Sequence, residues 1–342
     1  MAILLSLFKL IIRELALYKA KASGSLMLLG EYAVLHGKTA LVAAIDKFIF
    51  VTLSPRSDDQ IFIDSSLGTL SINRHQITLQ APFEFVLATL ALTKLPSGCN
   101  IEINSDLLPS SLGLGSSSAV TVALLIALNS WCKKLSNKSN LWQEASKVIH
   151  RVQGGGSGAD CAASIFGGVI AFNNSPFSVT FLREMPPLVA VYSGSKFTTD
   201  RAIDIVNNRR KQYPIHYQKI DEQMNKLSIK AIKAINTYDW TSLGNLFNFG
   251  QELMKIMGVS NVLLENLIQG LREQPHILGA KISGSGLGDC IVGVGKLMPN
   301  FFPRNEEEKK LGVKQIPFAI TSEGASFNEA QCSFPKITLS KK

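Results

Sequence analysis

The sequence predicts an α+β protein built as two lobes, and three observations carry that reading. Short segments rich in β-branched and aromatic residues, bounded by Gly, Asn, Asp or Pro, run from about Lys19 to Pro109. A helix that is apolar nearly all round, residues 116–131, follows at once and must therefore be buried. Beyond about residue 177 the pattern turns to a strand and then to long helical segments reaching Gln274, with a strand–loop–strand unit after them. At 342 residues the chain can bury two cores. The break is expected near 175–185, giving a first lobe over 19–180 and a second over 181–342, with residues 1–18 as an extra apolar segment.

Each element has its own justification. The opening "MAILLSLFKLIIRELALYKAK" is interrupted by Lys9, Arg13 and Glu14, so it is too short to span a bilayer. It also lacks the basic start and small-residue cleavage site of a signal peptide. A helix docked on the body or a start codon upstream of the true one are the leading readings, with a membrane-surface helix behind them. Five strands are then expected, in "SGSLMLLGEYAVLHG", "TALVAAIDKFIFVTLSP", "QIFIDSS", "GTLSINR" and "NIEINSDLLP". In the last, Ile101 and Ile103 alternate with Glu102 and Asn104, as in a half-exposed strand. After the 116–131 helix, a second is expected from Asn140 to Val152, with Leu141, Ala145, Val148, Ile149 and Val152 on one face. Asn140 and Gln143 have the spacing of a capping box. "ADCAASIFGG" opens a short helix, "LVAVYSGS" and "GAKISGSGLGDCIVGVG" supply strands, and "IPFAITSEG" is expected to be the final strand.

Composition narrows the chemistry. Charged residues are 18% of the chain, as in an ordinary globular protein, and the formal charge of +9 favours an anionic partner. The basic residues are dispersed and no nucleic-acid motif accompanies them, so that partner is expected to be a small molecule. The five cysteines are scattered and odd in number, and five equally dispersed histidines offer no metal-ligand spacing. A reducing compartment, the cytoplasm, is implied.

Four stretches could carry function. "GEYAVLHGKT" ends like a P-loop, but Gly30 and Gly37 enclose six residues where the pattern needs four, and Tyr32 stands where the first glycine should be. Gly37–Thr39 is therefore read as a turn between strands. "LPSSLGLGSSSAV" places a Gly/Ser loop at the start of the buried helix, where free amides and the helix dipole bind phosphate without a lysine. Gly113 and Gly115 let backbone approach a ligand, and Ser116, Ser117 and Ser118 add hydroxyls. "QGGGSGADCAASIFGGV" ends a glycine run on Asp160 at a helix start, where the dipole is expected to keep the carboxylate ionised as a proton acceptor. "GAKISGSGLGDC" holds Gly284, Gly286 and Gly288 in a tight loop, a weak signal by itself.

Taken in order, "GEYAVLHG", "LPSSLGLGSSSA", "GGGSGAD" and "KISGSGLGDC" resemble the GHMP superfamily of small-molecule kinases over about residues 19–325. The resemblance implies that superfamily's two-lobed fold, with strands and a buried helix in the first lobe and long helices with an antiparallel sheet in the second. It implies ATP and Mg²⁺, a phosphate loop over Pro109, Ser111, Gly113, Leu114, Gly115, Ser116, Ser117, Ser118 and Ala119, with Ser117 on the metal, and Asp160 as catalytic aspartate. Glu31, Tyr32, Ser157, Gly158, Lys196, Gly284, Ser285 and Gly286 are implied at the acceptor substrate. Within the superfamily the chain is most similar to the mevalonate-pathway branch, which implies phosphoryl transfer to mevalonate. Phosphomevalonate is the alternative acceptor, with a decarboxylase or a ligand sensor on the same fold behind it; a homodimer is left open.

Two departures stand out against the resemblance. The first motif ordinarily reads Ala-Pro-Gly-Lys, but here it is Ala22-Ser23-Gly24-Ser25, so a serine replaces the lysine expected beside the aspartate. Lys21 shares the strand face but lies about 13 Å away at strand rise. A glutamate eleven residues before the aspartate is often a second metal ligand, and here that position is Ile149, with Glu144 further back.

Overall fold

The computed structural model describes residues 17–330, so the reading of the N-terminal segment lies almost wholly outside the described residues. Strand β1 (Leu17–Leu29) and strand β2 (Ala40–Pro55) form a long antiparallel pair at the centre of an eight-stranded sheet. On its other edge β2 pairs first with β6 (Val169–Asn174) and further along with β5 (Cys99–Asn104). Strand β3 (Gln60–Ser65) joins β5 in parallel and β4 (Gly68–Asn73) in antiparallel, while β7 (Phe177–Phe181) closes a hairpin on β6. Helix α2 (Ser116–Trp131) lies across β1 and β2 with α1 (Glu84–Ala91) and α3 (Lys138–Gln153) behind it. That double cover explains its all-round apolar sequence: Val122, Leu124 and Leu128 are fully buried. Helix α4 (Ala159–Phe166) packs beside it on β1.

The second lobe is a four-stranded antiparallel sheet in the order β11 (Lys314–Ile316), β8 (Leu188–Tyr192), β10 (Cys290–Gly295), β9 (Ile277–Ser283). Helices α7 (Trp240–Met257) and α8 (Val262–Arg272) cover it, and α5 (Thr199–Gln212) and α6 (Pro214–Asn236) lead into them. A short helix α9 (Glu306–Leu311) precedes β11.

Several local expectations change. "GEYAVLHG" is not strand: β1 ends at Leu29, Ala33–His36 form a 3₁₀ turn, and Gly37 closes it in the left-handed conformation before β2. The strand expected to run on to Pro109 stops at Asn104, and a second 3₁₀ turn occupies Ser110–Leu112. The capping box at Asn140 gives way to a cap one turn earlier, where the Asn137 side chain accepts from the Asn140 N–H at 2.8 Å. Helix α1 and the β6–β7 hairpin were not expected at all. "IPFAITSEG" contributes only its first residue to the second sheet. From Ala319 the chain returns to the first lobe, where Ile320 bridges Ile45 and a final strand β12 (Ser326–Ala330) pairs with β1. Residues 319–330 therefore pair with the first lobe, where the edge of β1 recruits β12.

Candidate active site

A cleft of about 500 Å³ lies between the lobes, and three glycine-rich turns converge on it. Its centre is built on β1. At Gly24 a side chain would meet the Leu114 carbonyl at 2.7 Å; without one, the phosphate-loop backbone comes close enough for the Ser25 N–H to donate to Leu114 O at 2.9 Å. Gly115, at φ 74°, then starts α2 with no side chain capping the first turn. The amides that a serine or aspartate cap would normally occupy are left to a ligand.

Helix α4 begins in the same manner on Gly158, at φ 73°, and carries Asp160 in its first turn. The two helix starts meet at residue 25. Ser25 Oγ donates to Asp160 Oδ1 at 2.7 Å, and a Cβ on Gly115 would fall 2.2 Å from that same hydroxyl. Burial pushes the Asp160 carboxyl above its ordinary range, and the Ser25 hydrogen bond opposes the rise. The helix end, from which an ionised carboxylate is expected, does not account for this desolvation.

Lys21 and Glu144, the nearest charged residues to the two missing groups in sequence, are paired elsewhere and do not line the cleft. Lys21 pairs with Glu323 at 2.5 Å and sits over the Phe48 ring. Glu144 is held by Lys134 at 2.5 Å and by Asn129. Lys196, from the second lobe, reaches across the cleft mouth to donate to Ser110 O at 2.7 Å.

Of the residues singled out from sequence, Glu31, Tyr32, Gly113, Gly115, Ser116, Ser117, Ser118, Ser157, Gly158, Asp160, Lys196, Gly284 and Ser285 line the cleft together. Leu114 and Ala119 are instead fully buried, pointing into the core beneath the loop. Pro109 precedes the 3₁₀ turn and Ser111 lies within it, neither of them in the cleft lining, and Gly286 packs against the Val259 carbonyl. Tyr32 adopts φ 60°, rare for a non-glycine residue, and its hydroxyl donates to Ser285 O at 2.5 Å, so the first motif touches the third glycine turn.

Two charged residues were missed. Lys281 is completely buried on β9 and pairs with Glu31; a lysine inside the apolar "LGAKIS" was the available signal. Asp289 closes the third glycine turn at φ 59°, packed against Gly113, with Oδ1 unpaired and the carboxyl pushed by burial to about 6.

Comparison with known proteins agrees with this geometry. Residues 83–168 match the GHMP kinases N terminal domain and residues 231–309 the GHMP kinases C terminal domain. A mevalonate kinase of Archaeoglobus fulgidus is 33% identical over 280 residues, 81% of this chain and 92% of that protein. The fold resembles that of Methanococcus jannaschii mevalonate kinase, with TM-score 0.69 and 22% identity over 88% of this chain and 98% of the other. It equally resembles Streptococcus pneumoniae phosphomevalonate kinase in complex with phosphomevalonate and AMPPNP, with TM-score 0.72 and 16% identity over 88% and 99%. With an uncapped helix start beside a half-buried aspartate, both domain models in order and a relative matched over nearly its whole length, this chain belongs to the GHMP kinase family of ATP-dependent small-molecule kinases.

Proposed function

We propose that the protein is a mevalonate kinase, transferring the γ-phosphoryl group of ATP to mevalonate to give 5-phosphomevalonate. The observation that carries this reading is the 33% identity to a mevalonate kinase across 92% of that enzyme. The nucleotide phosphates would lie on the uncapped start of α2, against the amides and hydroxyls of Ser116–Ser118. The acceptor hydroxyl would stand at Asp160, whose carboxylate takes its proton as the new O–P bond forms and the bond to the ADP oxygen breaks.

A magnesium ion fits this donor set in one specific sense. The Ser117 hydroxyl lines the cleft, Ile149 offers no ligand, and no group of three acidic, histidine or cysteine side chains lies together among the described residues. Such a site suits a cation held mainly by nucleotide phosphates and water, with Ser117 as a protein ligand. When bound, the ion neutralises charge on the transferring group. The four described cysteines are unpaired, which agrees with a cytoplasmic location, and no described helix is long and apolar enough to cross a membrane.

A second reading, phosphomevalonate kinase, is favoured by Tyr32 after Glu31 and by the stretches "VQGGGSGAD", "SGSKFTT" and "SGLGDC". An acceptor with an added phosphate needs more cationic lining, however, and among the described residues Lys196 is the one lysine or arginine in the cleft wall. A coupled ATPase assay with mevalonate and phosphomevalonate side by side tests the choice. Turnover of mevalonate alone is expected, and turnover of phosphomevalonate alone would overturn it.

A further inference from the structure

Asp160 rides on the first turn of α4, and the glycine run in front of that helix does not hold it in place. A Cβ on Gly154 would meet no described atom within 4 Å beyond its chain neighbours, and one on Gly155 would touch the Ile203 side chain at 3.9 Å. Behind the run lies a second cavity of about 460 Å³, lined by Trp142, His150, Asn174 and the run itself, and Gly156 and Ser157 line both it and the cleft. Residues 154–157 are therefore a thin partition with room on both sides. Glycine gives such a segment the widest choice of backbone conformations, and few contacts restrain it.

The position of α4 is set instead from α3. The Trp142 indole N–H donates to the Gly158 carbonyl at 2.9 Å. That carbonyl also accepts the first bond of α4, from the Ala162 N–H at 2.9 Å, so both of its lone pairs are used. Gly158 is as confined as Gly154 is open: a Cβ there would lie 2.6 Å from Ser146 Oγ and 2.8 Å from Trp142 Nε1. The indole is itself fixed, its ring centroid 4.4 Å from that of Phe177 and 5.8 Å from that of Phe172 on the β6–β7 hairpin. At the other end of the helix the Ser164 hydroxyl donates to Ser23 O on β1 at 2.6 Å. Two residues beyond Gly158, Asp160 meets Ser25 on that same strand.

We propose that Trp142 is a positioning residue for Asp160: through the Gly158 carbonyl it fixes the start of α4, and with it the place at which the carboxylate meets the acceptor hydroxyl. This rests on the reading of Asp160 as the proton acceptor. Trp142 is not part of the cleft lining, so it acts on the reaction through α4 and not by touching a ligand. A reacting group displaced by about 1 Å can cost roughly a hundredfold in rate, so a hydrogen bond that fixes the helix start is felt at the carboxylate. The same bond does not reach the start of α2, so nucleotide binding is independent of it.

The experiment replaces Trp142 by Phe, which keeps an aromatic ring against Phe172 and Phe177 and removes the N–H, in the wild type and in Asp160→Asn. In the wild-type background Trp142→Phe should lower kcat by about tenfold and leave the KM for MgATP within about threefold. In the Asp160→Asn background it should lower the residual turnover by less than about twofold, because a residue that acts through Asp160 then has nothing left to position. Benzothienylalanine at position 142 keeps the whole bicyclic ring with sulfur in place of the N–H; the same fall is expected, and it carries the test where Trp142→Phe fails to fold. An unchanged kcat in the folded variants, an equal fall in both backgrounds, or weakened MgATP binding in place of a lower kcat would overturn the proposal. Near-normal turnover of Asp160→Asn by itself would overturn the Asp160 reading and this inference together, an outcome distinct from an equal fall in both backgrounds.

Discussion

Two carboxylates in the cleft wall are treated in opposite ways. Glu31 is buried opposite a lysine, whereas Asp160 is half-buried opposite a hydroxyl. Both sit at motifs that the family uses, and both are reached from β1 or the turn after it. The difference is which carboxylate has a cation. Where Ala-Pro-Gly-Lys would have placed a charge beside Asp160, Ser25 supplies one hydrogen bond, and the Asp160 carboxyl is pushed upward by burial. Charge compensation at the reacting end is thus left to the ligands that arrive there, while at the other end it is built into the fold.

The largest effect that could break this comparison is on Asp160 itself. Asp160→Asn should lower turnover by roughly two to four orders of magnitude, since a positioned base is worth about that much. MgATP affinity should change little, because the proposed phosphate site lies on α2. Near-normal turnover in steady-state assays would remove Asp160 from the mechanism and make Glu31 the carboxylate of interest.

Ser25 sharpens the contrast. Its hydrogen bond lowers the Asp160 pKa, so Ser25→Ala should raise it further. The ionised base is then present only at higher pH, and the acid limb of the pH–rate profile should move to the alkaline side with roughly tenfold lower turnover at neutral pH. The converse change, Ser25→Lys, should add less than an order of magnitude, because a site whose Asp160 and three glycine turns are intact has compensated for the missing lysine. A gain of tenfold or more would show a site that is merely weakened.

Much of this was legible in the sequence because it rests on local rules. The buried helix 116–131 was read to the residue from its apolar composition, and Gly113 and Gly115 do adopt left-handed conformations beside the cleft. What was missed depends on distant partners. Helix α1 and the β6–β7 hairpin carry short, ambiguous patterns that tertiary packing decides. The return of β12 to β1 is set by an open sheet edge about three hundred residues away. Lys281 could be noticed as a charge in an apolar strand, but its partner is 250 positions distant. The upward shift of Asp160 depends on walls drawn from both lobes, which no local argument about a helix dipole includes.

Asp289 offers a smaller test, through stability. Its carboxyl rises from 3.8 to about 6, so the folded state holds a proton that the unfolded chain has lost between those values. Stability therefore falls as pH rises through that window, and the penalty is complete above it. Asp289→Asn should remove the penalty, stabilising the fold above pH 6 and giving no gain near pH 4. Two pH units correspond to about 3 kcal/mol, and partial solvation at the cleft wall should reduce this to about 1–2 kcal/mol. Urea midpoints at pH 4.5 and 7.5 measure it, and equal gains at both would mean that the orphaned Oδ1 is not the cause.

The smallest expected effect concerns the stretch that most resembles a nucleotide motif. Gly37-Lys38-Thr39 has the ending of a P-loop, yet Gly37 closes a 3₁₀ turn and Thr39 leads directly into β2. The Thr39 N–H donates to the Asn225 side chain at 3.0 Å, and the Lys38 N–H donates to Ala33 O at 3.2 Å. Two amides that a P-loop would aim at phosphate are thus used within the fold, and Lys38 is not part of the cleft lining. The proposed phosphate site is instead the uncapped start of α2, which needs no lysine. Lys38→Ala should leave MgATP affinity within about threefold of the wild type. A loss of tenfold, on the order of 1.4 kcal/mol by calorimetry, would move the nucleotide from Ser116–Ser118 to this turn and undo the separation of roles between the two helix starts.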